Sequence, residues 1–447
     1  MPAVELAELP ISPPPSAPVA TAAPAPAEQA APGFARRLAT RFALVAFACF
    51  HLPLFLNNYP SLGGGGFGDG LARQWGNVFG RVGIWVAHHV FGRSGPMPAG
   101  LSGDNGDTAE EYGRLLLGGV IAVLGSVIWT IADRRRPRAR WVDEALRVLL
   151  RYSIALGLAS YAVAKLYPQQ FPAISPGTLD TRVGELSPFS LLWTFMQYSR
   201  VYSAFAGVME LAVVLLLCFR RTATLGALLC IPVMINVALM NWCYGVPVKL
   251  YSTITVLSAA VLVLYDARRV AAALFWHRAV PAAPLSPPFR SRRLNQLRWV
   301  VKLVVVGGVL VSSAVVMAPA GPTAAATAAR PVFGTWDVTS FVVHGRDLAQ
   351  TAEPARWRRF INRGGRASVV REDDTRVGCA ATIDDAAHTL GLTCEATHQD
   401  GSFTWTRTGA ELTLTGTFDH APVTAQLKRR PESETPLLHA PFELTFD

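Results

Sequence analysis

Seven apolar segments, each long enough to cross a membrane, dominate the chain from residue 39 to residue 319. A helix needs about 20 residues to cross roughly 30 Å of hydrocarbon, because each residue adds about 1.5 Å. Only 16% of the residues are charged, whereas about 25% are charged in soluble proteins. The sequence therefore predicts an all-α polytopic membrane bundle of about seven spans. The predicted spans are 39–58, 113–132, 145–166, 193–218, 222–242, 250–266 and 298–319.

Basic residues lie in every second connection between these segments. Arginines precede the first span and recur between the second and third, the fourth and fifth, and the sixth and seventh. Lys and Arg are enriched in cytoplasmic loops, so this alternation is typical of a cytoplasmic N-terminus. It also explains the net charge of +10 without a nucleic-acid partner. We therefore predict a multi-pass protein of the bacterial cytoplasmic (inner) membrane whose partner is the lipid bilayer and whose C-terminal domain is extracytoplasmic.

Two further segments precede the second span. Residues 1–33 are rich in Pro and Ala and are predicted to be disordered, because they cannot bury enough apolar surface. They also lack the basic and apolar regions of a cleavable signal peptide. Residues 71–92 place apolar side chains at helical spacing, with Arg73 and Arg81 elsewhere on the wheel. We expect this amphipathic helix to lie on the outer membrane surface or to re-enter the membrane, since a crossing would invert the charge alternation of all later loops.

The composition changes after the last predicted span. Residues 34–320 form the predicted transmembrane domain, and a linker of small residues follows at 321–330. Residues 331–447 contain eight or nine short alternating runs separated by turn signals, which indicates a small antiparallel all-β barrel-like domain. Trp336 in the opening strand is expected to close the barrel floor, where Arg429 or Arg430 could stack on it.

The six cysteines divide by location. Cys379 and Cys394 face each other across a predicted turn at residues 384–389. In an oxidising compartment facing cysteines form a disulfide, so we predict one between them. The other four lie in or at the ends of spans and form no Cys-x-x-Cys motif, so they are interpreted as small apolar side chains. These four are Cys49, Cys218, Cys230 and Cys243.

Glu210 is the clearest ionisable residue inside a predicted span. It is interpreted either as a proton relay or partner of a bound polar head group, or as a counter-ion for a neighbouring helix. Gly207 lies on nearly the same face and allows close helix packing. Arg151 and Lys165 share a face of the third span. Either both side chains extend to the membrane–water interfaces, or one of them pairs with Glu210. Arg200 is a further candidate partner.

A second polar group follows the fifth span. Asn241 and Lys249 either line a polar pocket at the outer surface or belong to a helix-end turn that faces water. Cys243 lies at the same edge. His51 has no facing histidine, so a b-type haem is not indicated, and no metal motif is present. The predicted intramembrane polar pocket consists of Glu210, Lys165, Arg200, Asn241, Lys249 and Cys243.

Residues 143–270 resemble the DoxX-like family of bacterial membrane proteins. Three motifs carry the resemblance: Tyr161-Ala162-Val163-Ala164-Lys165, Gly207-Val208-Met209-Glu210, and the run from Asn241 to Leu250. The resemblance implies a four-helix core made of the third to sixth predicted spans. The family takes its name from a quinone-reducing thiosulfate oxidoreductase subunit, so the resemblance also implies a quinone. The additional spans and the C-terminal domain are departures from the family core.

Residues 333–446 resemble a lipocalin-like barrel through Gly334-Thr335-Trp336 and the meander of short strands. Such barrels bind apolar ligands in their mouths. Two function classes remain open. One is a quinone-linked redox membrane subunit with Glu210, Lys165 and Lys249 in its pocket and Cys243 as a nearby thiol. The other is a non-catalytic envelope protein that binds or presents a lipophilic small molecule through the barrel.

Overall fold

A computed structural model describes residues 33–58, 67–92, 107–133, 140–167, 169–280, 291–317, 329–348, 351 and 353–431. The predicted disorder of 1–33 and the predicted linker 321–330 fall almost entirely outside these ranges, as do residues 432–447. The described helices are α1 Phe34–Asn58, α2 Phe67–His89, α3 Ala109–Ala132, α4 Arg140–Leu166, α5 Pro176–Leu179, α6 Pro188–Tyr198, α7 Arg200–Cys218, α8 Ala223–Cys243, α9 Lys249–Leu274 and α10 Arg292–Met317.

Among the residues described, six helices are long and apolar enough to cross a membrane. The membrane class predicted from the sequence agrees with this finding. The first predicted span, 39–58, lies in α1, which is not one of the six, so the count of about seven stays a prediction. The six segments are Glu111–Ala132, Trp141–Leu166, Arg200–Cys218, Ala223–Cys243, Lys249–Leu274 and Arg292–Val315.

The predicted fourth span, 193–218, is wrong in one respect, because it is split between α6 and α7 at Ser199. Ser199 has an extended conformation, and its hydroxyl accepts a hydrogen bond from the N–H of Tyr202, which caps α7. Ser187 caps α6 in the same way, and Pro188 occupies its first position. Both segments are apolar, so hydropathy alone joined two helices that local capping separates.

Helix α4 is the centre of the helical bundle. Its face of Leu146, Leu150, Ile154 and Leu158 is fully buried. This face belongs to a continuous core that includes side chains of α7, α8, α9 and α10. The helices of the predicted four-helix unit therefore share one core, and α1 and α10 pack against α4 from outside that unit.

The bundle has two ends that differ chemically. At the first, which we call the barrel-side end, Asp107 accepts hydrogen bonds from the N–H groups of Lys249 (2.7 Å) and Leu250 (3.0 Å) at the start of α9. At the second, the distal end, the buried Arg41 near the start of α1 pairs with Asp133, just after α3, at 2.5 Å. Helices α1 and α3 are therefore antiparallel, so α1 ends and α3 begins at the barrel-side end, and α2 packs on both helices.

The C-terminal strands close into an eight-stranded antiparallel barrel. Each strand from β3 to β8 pairs with the next strand in the sequence, β1 pairs with β3, and β9 pairs with β1 to close the barrel. Strand β2 is a two-residue arm that pairs with the end of β1. The strands are β1 Gly334–Val343, β2 Arg346–Asp347, β3 Trp357–Asn362, β4 Arg366–Arg371, β5 Arg376–Asp384, β6 Thr389–Cys394, β7 Gln399–Thr408, β8 Glu411–Phe418 and β9 Ala421–Arg429.

Large side chains fill the inside of this barrel. The indole N–H of the buried Trp336 donates to the carbonyl of Val332 at 3.1 Å, so its polar atom is satisfied. Arg407, and not Arg429 or Arg430, lies over the Trp336 ring, 5.6 Å from its centroid. Asp384 pairs with Thr389 as the predicted register requires, and a disulfide joins Cys379 to Cys394. The buried aromatic side chains of this core are Trp336, Phe341, Trp357, Phe360, Phe403, Trp405 and Phe418.

The connection between α4 and α7 holds the barrel against the helical bundle. Within this connection α5 packs on the outer face of β1 and β3, and α6 packs on the barrel-side end of the bundle. Strand alternation directs Ile361 and Val370 away from the barrel interior, yet both are buried. Since one connection contacts both parts, the barrel and the connection lie at the same end of the bundle.

Candidate functional site

A buried ion pair joins α4 to α7. The Nζ of Lys165, in the last turn of α4, lies 2.9 Å from both Oε1 and Oε2 of Glu210, in the middle of α7. The two side chains are 7% and 2% exposed. A charge buried alone costs several kcal/mol, and this bidentate contact offsets much of that cost. The structure thus selects Lys165 from the three cations that the sequence offered as partners for Glu210.

Close helix packing makes this contact possible. Gly207 lies one turn before Glu210, and a Cβ at this position would be 3.0 Å from both the carbonyl oxygen of Ala162 and the Cβ of Lys165. One turn earlier, the buried hydroxyl of Ser203 donates to the carbonyl of Met196. The small residues on this face of α7 therefore let the backbones of α4 and α7 approach, as small residues do between membrane helices.

Two tyrosines extend the site towards α9. Lys165 Nζ lies 5.5 Å from the centroid of the Tyr161 ring, and Tyr161 stacks on Tyr251 with 5.6 Å between centroids. The hydroxyl of Tyr251 lies against Gly157, where a Cβ would be only 2.0 Å from it. The pair therefore combines an acid, an ammonium group and flat aromatic surfaces in a region of low dielectric constant.

Arg200 lies beside the pair without contacting Glu210 in the structure. Its guanidinium donates to the carbonyl oxygens of Lys165, at 3.1 Å, and Leu166. The last carbonyls of a helix have no partner inside that helix, so Arg200 stabilises the end of α4. Arg151 has the same role at the distal end, where it donates to the carbonyls of Leu217 and Cys218.

The remaining predicted pocket residues lie at the barrel-side end. Asn241 is buried and donates to Ser252 Oγ at 3.0 Å. The ammonium group of Lys249 lies 3.4 Å from Asp107, and Cys243 is exposed. The structure therefore brings Glu210 and Lys165 together, and gives Asn241 and Lys249 different partners in the turn between α8 and α9.

Sequence reasoning missed two polar contacts of the bundle. His51 is buried in α1 and its Nε2 lies 3.0 Å from Ser258 Oγ in α9. Asp107 is placed against the start of α9. Neither partner is near in sequence, so no local spacing could reveal these pairs.

A second charged cluster, also missed, lies between the bundle and the barrel. Asp180, just after α5, is 5% exposed and contacts three arginines of the barrel domain. Its carboxylate accepts hydrogen bonds from Arg359 and Arg376, the latter at 3.0 Å, and lies 3.8 Å from Arg430. These arginines occupy three separate parts of the barrel sequence. The only available sequence signal was the density of arginines between residues 356 and 376.

Asp374 forms an exposed edge of this cluster. It accepts hydrogen bonds from Arg182, at 2.7 Å, and from Arg358. Slight desolvation raises the pKa of Asp374, but the hydrogen bonds and charges of Arg358 and Arg182 outweigh it and hold that pKa below its ordinary value of 3.8. The contact between the connection and the barrel therefore favours the ionised carboxylate.

No family model matches the chain, and no solved structure matches it. The curated relative "Uncharacterized protein YwoB" of Bacillus subtilis (strain 168) is 32% identical over 128 residues. The aligned region is 29% of this chain and 81% of that relative, so the match concerns less than a third of this protein. Identity of this level over most of the relative's length shows common descent, and the chain belongs to the same family as YwoB.

Proposed function

We propose that this protein is a DoxX-like membrane subunit of the bacterial cytoplasmic membrane and binds the polar head group of a quinone beside Lys165 and Glu210. The observation that carries the proposal is the buried bidentate ion pair between α4 and α7. Ionisable groups within spanning helices are costly, and they commonly serve substrate or proton pathways. The quinone and the redox reaction come from the DoxX-like resemblance alone.

The residues of the pair fit the chemistry of such a head group. The two hydrogen bonds to Glu210 leave Lys165 one further N–H for a carbonyl oxygen, because an ammonium group has three donors. Glu210 can accept a proton and return it, and the Tyr161 and Tyr251 rings offer flat walls. A bound quinone would take up two protons and two electrons, the electrons from a sulfur-compound donor as the resemblance implies.

We further propose seven spans with a cytoplasmic N-terminus. If α1 crosses the membrane, its antiparallel contact with α3 means that α1 ends and α3 begins on the same side. We propose that α2, which lies between them in the chain, is an interfacial or re-entrant helix on that side. Helices α3, α4 and α7–α10 supply the other six spans. The distal end then faces the cytoplasm, which agrees with the arginines near it, including Arg36, Arg220 and Arg269. The barrel is extracytoplasmic in this arrangement.

The alternative function, binding of a lipophilic molecule inside the barrel, has less support. The inward positions that would line a ligand cavity carry large buried side chains, including Trp336, Trp357 and Phe403. Eight strands leave an interior just wide enough for side chains to fill or for one small ligand. We therefore place the ligand of this proposal in the helical bundle.

The test is to purify the full chain in a mild detergent and to quantify co-purifying quinone by mass spectrometry. We expect near-stoichiometric quinone in the wild type and its loss in Glu210→Gln, together with loss of quinone reduction. Glu144→Gln is the matched control, because Glu144 is half exposed and pairs with Arg220 at the distal end. This control should retain the quinone.

Glu210→Gln could also lose quinone by unfolding, because it leaves Lys165 charged and buried. The double variant Lys165→Gln/Glu210→Gln removes both charges and keeps hydrogen-bonding groups at both positions. It should fold with the wild-type circular dichroism spectrum and still lack quinone. A folded double variant that retains quinone, or a wild type that carries only bulk phospholipid, would contradict the proposal.

A further inference from the structure

The turn between β3 and β4 carries two arginines around a pair of glycines, Arg363-Gly364-Gly365-Arg366. This turn lies beside α5, because a Cβ on Gly177 would be 1.7 Å from the Nη2 of Arg363. Within the described part of the chain, neither Arg363 nor Arg366 has an acidic partner or an accepting group for its guanidinium. Both residues are exposed on the barrel surface.

Positive charge is in excess around this turn. Arg376 donates to the carbonyl of Gly177 at 3.3 Å and to Asp180, so a third guanidinium meets the same part of α5. Burial lowers the pKa of Arg363, and the positive charges of Arg376 and Arg366 lower it further. Asp180 is already shared by Arg359, Arg376 and Arg430, which leaves the turn without a neutralising carboxylate among the described residues.

The location of the turn indicates what could neutralise it. Helix α5 belongs to the connection between α4 and α7, and both of these helices contain candidate membrane spans. The same connection packs on the barrel-side end of the bundle through Phe171, Leu192 and Met196. The arginines are therefore held close to the level at which lipid head groups surround the spans. A guanidinium binds phosphate with two parallel hydrogen bonds, and basic groups near a membrane surface attract anionic lipids.

We propose that Arg363 and Arg366 bind a phosphate group, supplied by the head group of an anionic phospholipid. The bound lipid would join the barrel to the bilayer beside α5, in addition to the Asp180 contacts. This site is separate from Lys165 and Glu210 and does not depend on the quinone proposal.

The test uses the full chain in nanodiscs that contain equal amounts of phosphatidylglycerol and phosphatidylcholine, with retained lipids counted by native mass spectrometry. We expect the wild type to retain phosphatidylglycerol selectively. The Arg363→Gln/Arg366→Gln variant should retain roughly tenfold less phosphatidylglycerol than the wild type. Arg346→Gln is the matched control, since Arg346 is 73% exposed in the short β2 arm and lies 3.9 Å from Glu353. It should retain the lipid as the wild type does.

Two further measurements distinguish the source of the phosphate. Delipidated protein in neutral detergent is titrated with inorganic phosphate and followed by thermal unfolding. Stabilisation that disappears in Arg363→Gln/Arg366→Gln, without selective lipid retention, would assign the site to a soluble phosphate compound and overturn the lipid assignment. Arg363→Lys/Arg366→Lys keeps the charge, should fold equally well, and should recover part of the retention. Equal phosphatidylglycerol retention by the wild type and the double Gln variant would overturn the site itself.

Discussion

At the scale of single residues, Lys165 and Glu210 stabilise the fold only as a pair. Each side chain is nearly inaccessible to water, and the ammonium group of Lys165 donates a hydrogen bond to both carboxylate oxygens of Glu210. Removing one partner of such a pair leaves an uncompensated charge, whereas replacing both by apolar residues is often neutral. The energetic value of the pair must therefore be measured by changing both residues.

We predict that Glu210→Leu and Lys165→Met each lower the free energy of unfolding by about 3–5 kcal/mol. The double variant should lose much less than the sum, because it buries no unpaired charge. Unfolding in detergent, followed by tryptophan fluorescence, gives the change in the free energy of unfolding for the two single variants and the double variant. Additive losses would show that the two side chains are not coupled in the folded protein.

Asp374 makes the contact between the connection and the barrel sensitive to acid. Its pKa is lower in the folded protein than its ordinary value of 3.8, so the stabilisation is present above that pH and is lost as the pH falls through the folded pKa. We expect the hydrogen-exchange protection factors of Ile361 and Val370, corrected for the intrinsic exchange rate at each pH, to fall below about pH 4. In Asp374→Asn this fall should be weaker, and the same pH profile in the variant and the wild type would remove Asp374 from the contact.

At the scale of secondary-structure elements, the approach of α4 and α7 depends on a glycine. Gly207 occupies the contact at which a Cβ would meet Ala162 and Lys165, both at 3.0 Å. The contact lies one turn from Glu210, so the distance between the two helices also sets the geometry of the ion pair. The same packing therefore determines both stability and the candidate site.

Gly207→Ala should destabilise the protein by about 1–3 kcal/mol, because the added methyl group forces α4 and α7 apart. Gly119→Ala is the control, since nothing lies within 4 Å of a Cβ at that position in α3. This control should be neutral or stabilising by up to about 1 kcal/mol, because Ala favours a helix over Gly. Thermal unfolding of both variants makes the comparison, and equal stabilities would contradict the proposed close packing.

At the scale of the whole molecule, contacts assign the helix ends to two sides. The barrel, the connection that carries α5, and the turn between α8 and α9 lie at the barrel-side end. Arg41, Asp133 and Arg151 mark the distal end. The exposed Cys243 lies at the barrel-side end and the exposed Arg221 lies at the distal end, because they are at opposite ends of α8.

We predict that a membrane-impermeant thiol reagent added to intact cells labels Cys243 and an Arg330→Cys variant, but not an Arg221→Cys variant. Permeabilised cells should show labelling at all three positions. The two variants are made in a background without Cys243, and the buried cysteines serve as the unlabelled control. Labelling of Cys243 and Arg330→Cys from opposite sides would contradict the arrangement of the bundle and barrel.

Local patterns in the sequence determined the membrane class, most helix positions and the barrel strands. Apolar runs and two-residue alternation involve residues that are close in sequence, so they can be recognised from the sequence alone. The register across residues 384–389 was also readable, because a short turn determines which residues of two adjacent strands face each other. The break at Ser199 was missed because capping is a weaker signal than a long, predominantly apolar stretch.

Only the tertiary structure decided which polar groups meet. The sequence offered Arg151, Lys165 and Arg200 to Glu210, and packing of α7 on α4 selected Lys165. The contact of Asp180 with the barrel arginines arises in the same way, between groups that are 179 and 196 residues apart. Long side chains of like charge are interchangeable in a sequence pattern. They become distinct only when the folded backbone determines which of them reaches a buried carboxylate.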